Sequence, residues 1–314
     1  MLLRSNRLFA TTLVCCAARR AMSTFAGGQP SSPIINRDAK YGQNTITITP
    51  RTPHSALVVV MHGLGDTANG FEDVARMWHN VMPHAKFILP TAPTQPVTLN
   101  MGMAMPSWYD IVGLDERTNE SCDGIDESSK RIISILEAEH EETQLPYDRM
   151  VLSGFSQGGA LSLYTGLQVP KEKKLAGVLV MSGYLAGSKQ FSLSEVGRNI
   201  PTLHCHGTAD PMVAYAMAEK TKQLLTSSGH ENYTLKPYPN MQHTVVPEEI
   251  QDALEFLNTV IPPDPSCNVK AKSPDEMSVK ELKAAIKAGG LGAQAVGLTE
   301  KRELIDLLKK EQGK

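Results

Sequence analysis

The chain has 314 residues, 41% of them hydrophobic and 20% charged, and a formal net charge of -2. That length admits one large domain with additions or two domains, with the composition of a soluble globular enzyme. The near-neutral balance excludes, for the chain as a whole, the basic footprint of a nucleic-acid or membrane-surface protein, and no apolar run reaches the roughly 18 residues that span a bilayer. Five cysteines (15, 16, 122, 205 and 267) are odd in number and form no CxxC or zinc spacing, which predicts a reduced, disulfide-free body.

Residues 1–37 carry Arg4, Arg7, Arg19, Arg20 and Arg37 and no acid before Asp38. Arginine with Ser and Thr and without acids is the composition of a mitochondrial presequence. Leu8 to Ala18 also fits the short apolar core of a secretory signal; the plainer alternatives are a disordered leader or initiation at Met22, in a cytoplasmic protein. The mitochondrial reading is the favoured one.

From residue 40 to 262 strands and helices alternate. Ala56 to Met61 is a continuous apolar run, as in a strand buried on both faces. Helical spacing over Gly70 to Asn80 and a strand over Lys86 to Leu89 follow. Residues 90–107, rich in Pro, Thr and Met, read as a long loop, which is uncommon without a function. An amphipathic helix spans Asp126 to Glu142, and a strand spans Met150 to Ser153. After a helix over Gly159 to Gln168 come strands over Leu175 to Met181 and Thr202 to Cys205. A helix over Ala214 to Leu225, a strand over Tyr233 to Tyr238 and a helix over Glu248 to Val260 complete the series. Such alternation predicts an α/β fold, a mainly parallel sheet with helices on both faces. Ligands then bind beyond the carboxyl ends of its strands.

Gly154-Phe155-Ser156-Gln157-Gly158 stands between a predicted strand and a predicted helix. That is the setting of a nucleophile elbow, whose sharp turn tolerates little bulk beside the serine. A serine hydroxyl needs a base and an orienting acid, which in this architecture follow in the order Ser, acid, His. Asp210 follows the Thr202 strand and His243 follows the last strand. His62 and His206 also follow strands, but each adjoins a glycine and reads as a loop fixer. Asp110 is a rival acid that precedes the serine and breaks the order. The oxyanion donors are expected from the backbone amides of Gln157 and, in the glycine turn His62 to Asp66, of Leu64. No cofactor or metal is implied.

With His62-Gly-Leu-Gly-Asp66, Pro96-Val-Thr-Leu-Asn100, Met105-Pro-Ser-Trp-Tyr-Asp110, Gly154 to Ser162 and His206-Gly-x-x-Asp-Pro211, the chain resembles the acyl-protein thioesterase / lysophospholipase-like carboxylesterases over residues 45–262. The resemblance implies an α/β-hydrolase fold, a Ser156–Asp210–His243 triad and oxyanion amides at Leu64 and Gln157. It implies hydrolysis of long-chain acyl thioesters on proteins, of lysophospholipids and of carboxylic esters. The loop 90–107 would then border an acyl channel, with Met101, Met103, Met105, Trp108 and Met212 lining it. Thr208-Ala209 and Ser182-Gly-Tyr184 depart from the animal enzymes of the family.

After a linker over 263–276, residues 277–312 form a separate unit. Ser278-Val-Lys-Glu281 is a capping box, Gly289-Gly290 ends its helix, and Thr299 opens a second helix. The pair resembles a SAP-type module, which implies nucleic-acid binding. Eight Lys and Arg against five acids from Met277 to Lys314 give only a small basic excess, so a protein contact or a merely stabilising helical pair fits equally.

Overall fold

The apolar runs take the middle of an eight-stranded sheet, where both faces of a strand are covered. In this computed structural model the described residues are 35–38, 40–113, 121–269, 273–288 and 291–312. The strands are β1 (Ile35–Asp38), β2 (Thr45–Ile48), β3 (Ala56–Met61), β4 (Ala85–Leu89), β5 (Thr94–Val97) and β6 (Met103–Pro106). They continue with β7 (Met150–Phe155), β8 (Gly177–Met181), β9 (Thr202–Gly207) and β10 (Tyr233–Tyr238). The large sheet runs β1-β2-β4-β3-β7-β8-β9-β10, antiparallel at its β1 end and parallel from β4 to β10.

Helices α1 (Glu72–Val81), α2 (Ile125–Thr143), α3 (Gln157–Gly166), α4 (Tyr215–Ser227) and α5 (Pro247–Val260) pack on this sheet. α3 is buried along its whole length, which its apolar and glycine-rich sequence permits. α5 starts on Pro247 with Glu248 and Glu249 in its first turn, the residues that a helix N-terminus favours. The core between α1, α5 and the sheet includes Trp78, whose Nε1 donates to the Ile250 carbonyl at 3.1 Å. On the other side, Lys86 of β4 pairs with the buried Glu139 of α2 at 2.6 Å. This is an α/β-hydrolase arrangement.

Strand order reverses around β3. β4 lies on one side of β3 and β7 on the other, and Met61 is in register with Gly154. The turn after β3 and the turn after β7 therefore emerge side by side, at a topological switch point.

Two features depart from the sequence reading. The sheet begins at Ile35, inside the stretch read as leader, because Ile35–Asp38 pairs antiparallel with Thr45–Ile48. Both strands have only four residues, too short for a period to stand out. Residues 1–34 lie outside the described residues, and with them the presequence and signal-core expectations. The segment 90–107 is not a plain loop: Thr94–Val97 and Met103–Pro106 form a separate hairpin, with Pro96 opposite Ala104. Only Val97 of its strand residues is buried, so no inside–outside alternation is written in the sequence.

The described residues divide into two compact units, parting between Asn268 and Val269. The second holds α6 (Val279–Ala288) and α7 (Lys301–Gln312), closed around Leu282, Ile286, Leu291, Leu304 and Leu308. Its capping box is reciprocal: Ser278 N–H donates to Glu281 Oε2 at 2.7 Å, and Glu281 N–H donates to Ser278 Oγ at 3.3 Å. The expected Gly289-Gly290 stop lies outside the described residues. Among the described residues no helix is long and apolar enough to cross a membrane.

Candidate active site

Ser156 sits between β7 and α3 with φ 53° and ψ -117°, a conformation that L-residues rarely adopt. The surroundings leave the turn no alternative. A Cβ on Gly158 would lie 2.2 Å from the Met61 carbonyl oxygen, and one on Gly154 would lie 2.3 Å from the Gly158 carbonyl carbon. The Ser156 N–H is held by the Met181 carbonyl at 2.8 Å. The hydroxyl is thereby presented at the sheet's carboxyl rim.

His243 Nε2 lies 2.9 Å from Ser156 Oγ, and His243 Nδ1 lies 2.7 Å from Asp210 Oδ2. A carboxylate only accepts, so Nδ1 carries the ring proton and Nε2 faces the hydroxyl as an acceptor. The Phe155 ring packs against the imidazole at 4.8 Å between centroids. Asp210 is fixed in turn by the backbone N–H groups of Met212 (2.8 Å) and Val213 (2.9 Å), both donating to Oδ1. Burial alone would raise its pKa, but the His243 hydrogen bond and charge, with those two amides, hold it below the ordinary carboxylate value. The loops that carry the acid and the imidazole are joined as well. Ala209 N–H donates to the Met241 carbonyl at 3.1 Å, and Asn240 N–H donates to Thr208 Oγ1 at 3.1 Å.

Gln157 opens α3, where no preceding turn supplies its N–H with an acceptor. Leu64 N–H has no hydrogen-bond partner among the described residues, while its neighbour Gly65 N–H is tied to the Pro106 carbonyl at 2.9 Å. The two amides belong to adjacent turns at the switch point. The Gln157 side chain does something the sequence did not disclose. Its Oε1 accepts from Trp108 N–H at 2.9 Å, and its Nε2 donates to Ser107 Oγ (2.9 Å) and the Tyr109 carbonyl (2.7 Å). One buried amide thus clamps residues 107–109 to the start of α3.

The residues expected along the acyl channel separate. Met105 lies beside the glycine turn, its sulfur 3.6 Å from where a Gly65 Cβ would stand, and Met212 adjoins Asp210 with half of its surface exposed. Met101 and Met103, on the hairpin, are 95% and 61% exposed. Trp108 is wholly enclosed, with Nε1 donating to the His62 carbonyl at 2.9 Å, so it offers no surface to a ligand and instead supports the glycine turn from within. The channel expectation for Trp108 rests on its flat apolar ring, which suits an alkyl chain; the inward-pointing N–H decides otherwise.

The rival residues have other work. Asp110 accepts from Thr98 N–H (2.7 Å) and Thr98 Oγ1 (2.6 Å), pinning the turn end of the hairpin. His62 Nε2 accepts from Ala92 N–H at 3.0 Å, which leaves Nδ1–H to donate to the Gly63 carbonyl at 2.7 Å. His206 Nε2 reaches the Val213 carbonyl at 2.8 Å.

Residues 43–261 match the Phospholipase/Carboxylesterase family. Acyl-protein thioesterase 1 of Mycosarcoma maydis is 38% identical over 235 residues, covering 69% of this chain and 97% of the relative. Acyl-protein thioesterase 1 of Cryptococcus neoformans var. neoformans serotype D is 37% identical over 229 residues, covering 68% of this chain and 95% of the relative. Among solved structures, Zea mays acyl-protein thioesterase 2 superposes with a TM-score of 0.59 at 28% identity, over 69% of this chain and 98% of that one. Arabidopsis thaliana SOBER1 gives 0.60 at 27% identity, over 66% and 99%. Sheet order, hydroxyl–imidazole–carboxylate geometry and these likenesses agree, and the chain belongs to the phospholipase/carboxylesterase family of hydrolases.

Proposed function

We propose that this chain is a serine hydrolase that removes long-chain acyl groups from protein cysteines and also accepts carboxylic esters. The observation that carries this reading is the continuous chain from Ser156 Oγ through His243 to Asp210, at 2.9 and 2.7 Å. His243 Nε2 takes the Ser156 proton as Oγ attacks the acyl carbon. The Leu64 and Gln157 amides hold the resulting oxyanion, an arrangement in which one donor is typically worth about 10²- to 10³-fold in rate. The imidazolium returns its proton to the leaving thiolate or alkoxide, which departs and leaves an acyl-serine. Water, deprotonated by the same imidazole, repeats the attack and frees the acid. A thiol, with a pKa of about 8.5, is a better leaving group than an alcohol and needs less help from the imidazolium. Met105 and Met212 beside the site, and exposed Met101 and Met103 on the hairpin, supply apolar surface for an alkyl chain.

Steady-state hydrolysis of a palmitoylated cysteine peptide against a matched lysophospholipid tests this, with Ser156→Ala as the blank. Preference for the peptide, abolished in the variant, supports the thioesterase reading. Preference for the lipid makes the chain a lysophospholipase, and activity retained by Ser156→Ala rejects the serine mechanism.

For the C-terminal unit we infer a weak contact with a protein or nucleic acid, from its SAP-like pattern and small basic excess. A salt-dependent shift of DNA or RNA by residues 270–314 selects the nucleic acid. The arginine-rich, acid-free residues 1–37 support mitochondrial targeting. Unchanged distribution of a tagged protein lacking residues 1–34, which leaves β1 whole, would reject that assignment.

A further inference from the structure

β9 turns Thr202, His204 and His206 to one face and Leu203 and Cys205 to the other, as the strand period demands. All three polar residues are buried. Each ring nitrogen of the two histidines has a hydrogen-bond partner, and the order of protons follows from the end held by the Val213 carbonyl. His206 Nε2 lies 2.8 Å from the Val213 carbonyl, which only accepts, so Nε2 bears the proton. In the neutral ring Nδ1 is then bare. It lies 3.2 Å from His204 Nε2, which must be the donor. His204 Nδ1 is bare in its turn and accepts from the Tyr233 hydroxyl of β10 at 2.5 Å. Burial holds both rings in the neutral form, His204 well below its ordinary value and His206 below it.

The string points one way, from Tyr233 through His204 and His206 to the loop after β9. It ends where it matters. Val213, whose carbonyl His206 holds, is the residue whose N–H holds Asp210 Oδ1, and His206 Nε2 is itself 3.6 Å from Asp210 Oδ2. The other groups facing the string are the Gly183 backbone beside His204, the Tyr215 ring of α4 against His206, the His230 ring against Tyr233, and His243 beyond Asp210.

We propose that Tyr233, His204 and His206 are positioning residues for the hydrolysis: their one-directional hydrogen-bond string holds the Val213 carbonyl, and through that residue its N–H on the other side of Cα, and so aims the Asp210 carboxylate at His243. This rests on the reading of Asp210 as the acid of the triad. If the string breaks, the carboxylate loses its fixed aim and stabilises the imidazolium less. The loss falls on the chemical step and leaves acyl binding alone. A tight positional requirement of this kind makes a displacement of about 1 Å cost on the order of 10²-fold.

The experiment compares Tyr233→Phe, His204→Leu and His204→Gln with the parent and with Ser156→Ala, recording kcat, KM and the pH dependence of kcat. His204→Leu should lower kcat by roughly 10- to 100-fold with KM little changed. It should also move the acid limb of the kcat profile to lower pH. Tyr233→Phe should act in the same direction and less strongly. His204→Gln, which keeps a donor for His206 Nδ1 and does not titrate, should recover most of the loss. A lowered Tm with kcat and the acid limb unchanged overturns the proposal, as does a Gln variant no better than Leu. If His204→Leu does not fold, Tyr233→Phe, which deletes one oxygen, decides alone. Activity surviving in Ser156→Ala brings down the triad and the string together. An inactive Ser156→Ala beside parent-like Tyr233→Phe and His204→Leu removes only the string.

Discussion

Glu249 is the most exceptional single residue outside the hydrogen-bonded Ser156–His243–Asp210 cluster. It stands in the first turn of α5, fully buried, and neither carboxyl oxygen has a close hydrogen-bond partner among the described residues, the Val246 amide only approaching it. Burial above all, opposed in part by the Val246 amide and aided by the carboxylates of Asp252 and Asp210, pushes its pKa up from 4.5 to about 8. Between those values the folded protein holds a proton that the unfolded chain releases. Stability is therefore greatest below about pH 4.5, as far as this group is concerned, and falls as pH rises through about 8, by about 5 kcal/mol in all. Thermal unfolding across pH 5 to 9 should show that decline, and Glu249→Gln should flatten it. A variant whose Tm profile runs parallel to the parent's would reject the assignment. Gln157 gives a second prediction on this scale. Gln157→Ala strands Trp108 N–H and the Tyr109 carbonyl in the interior, a loss of about 1–3 kcal/mol each. Both stability by denaturant titration and kcat should fall, because residues 107–109 and the Gln157 amide share that clamp.

At the level of elements, the elbow is held by backbone packing. Gly158→Ala would drive a methyl into the Met61 and His62 carbonyls of β3 and its turn, and backbone cannot step aside as a flexible side chain can. We expect a loss of about 3 kcal/mol or more with nearly complete loss of activity, whereas Gly292→Ala, which meets nothing within 4 Å, should leave Tm unchanged. Calorimetry on the pair distinguishes steric exclusion from a general preference for glycine.

That steric demand is also why the elbow was legible in the sequence: glycines on both sides of a serine, between an apolar run and a helix, are what so tight a turn requires. The β3 and β8 runs and the order Ser156, Asp210, His243 were legible for similar reasons. The β5–β6 hairpin was not, since its stability comes from a few anchors, the Asp110–Thr98 bonds among them, and not from a periodic face. Nor was the proton order along His206 and His204, because a tautomer depends on what the strand beside it supplies.

On the scale of the whole molecule, the family match ends at Ile261, and the two fungal relatives are covered over 97% and 95% of their own length. The catalytic unit closes itself there: Arg149 Nε donates to the Ser55 carbonyl at 2.8 Å and Nη2 to Pro262, and His84 Nε2 donates to the Ile261 carbonyl at 3.0 Å. A chain ending at Asn268 should therefore keep kcat/KM for a short soluble ester unchanged, and a drop would show that the C-terminal unit contributes to the site. The same division predicts that the unit around Leu282 and Leu304 unfolds in a transition of its own.

The hydroxyl and its imidazole are 87 residues apart in the chain, and the imidazole rides on the turn that follows the outermost strand, β10. During synthesis the central strands and the elbow leave the ribosome well before the residue that can draw the serine's proton. A half-made or half-unfolded chain consequently carries a presented but inert hydroxyl, and acyl bonds nearby are safe from it until β10 docks. Activity thus requires β10 and its turn to have docked, and in a refolding experiment we expect it to return later than the circular dichroism of the sheet.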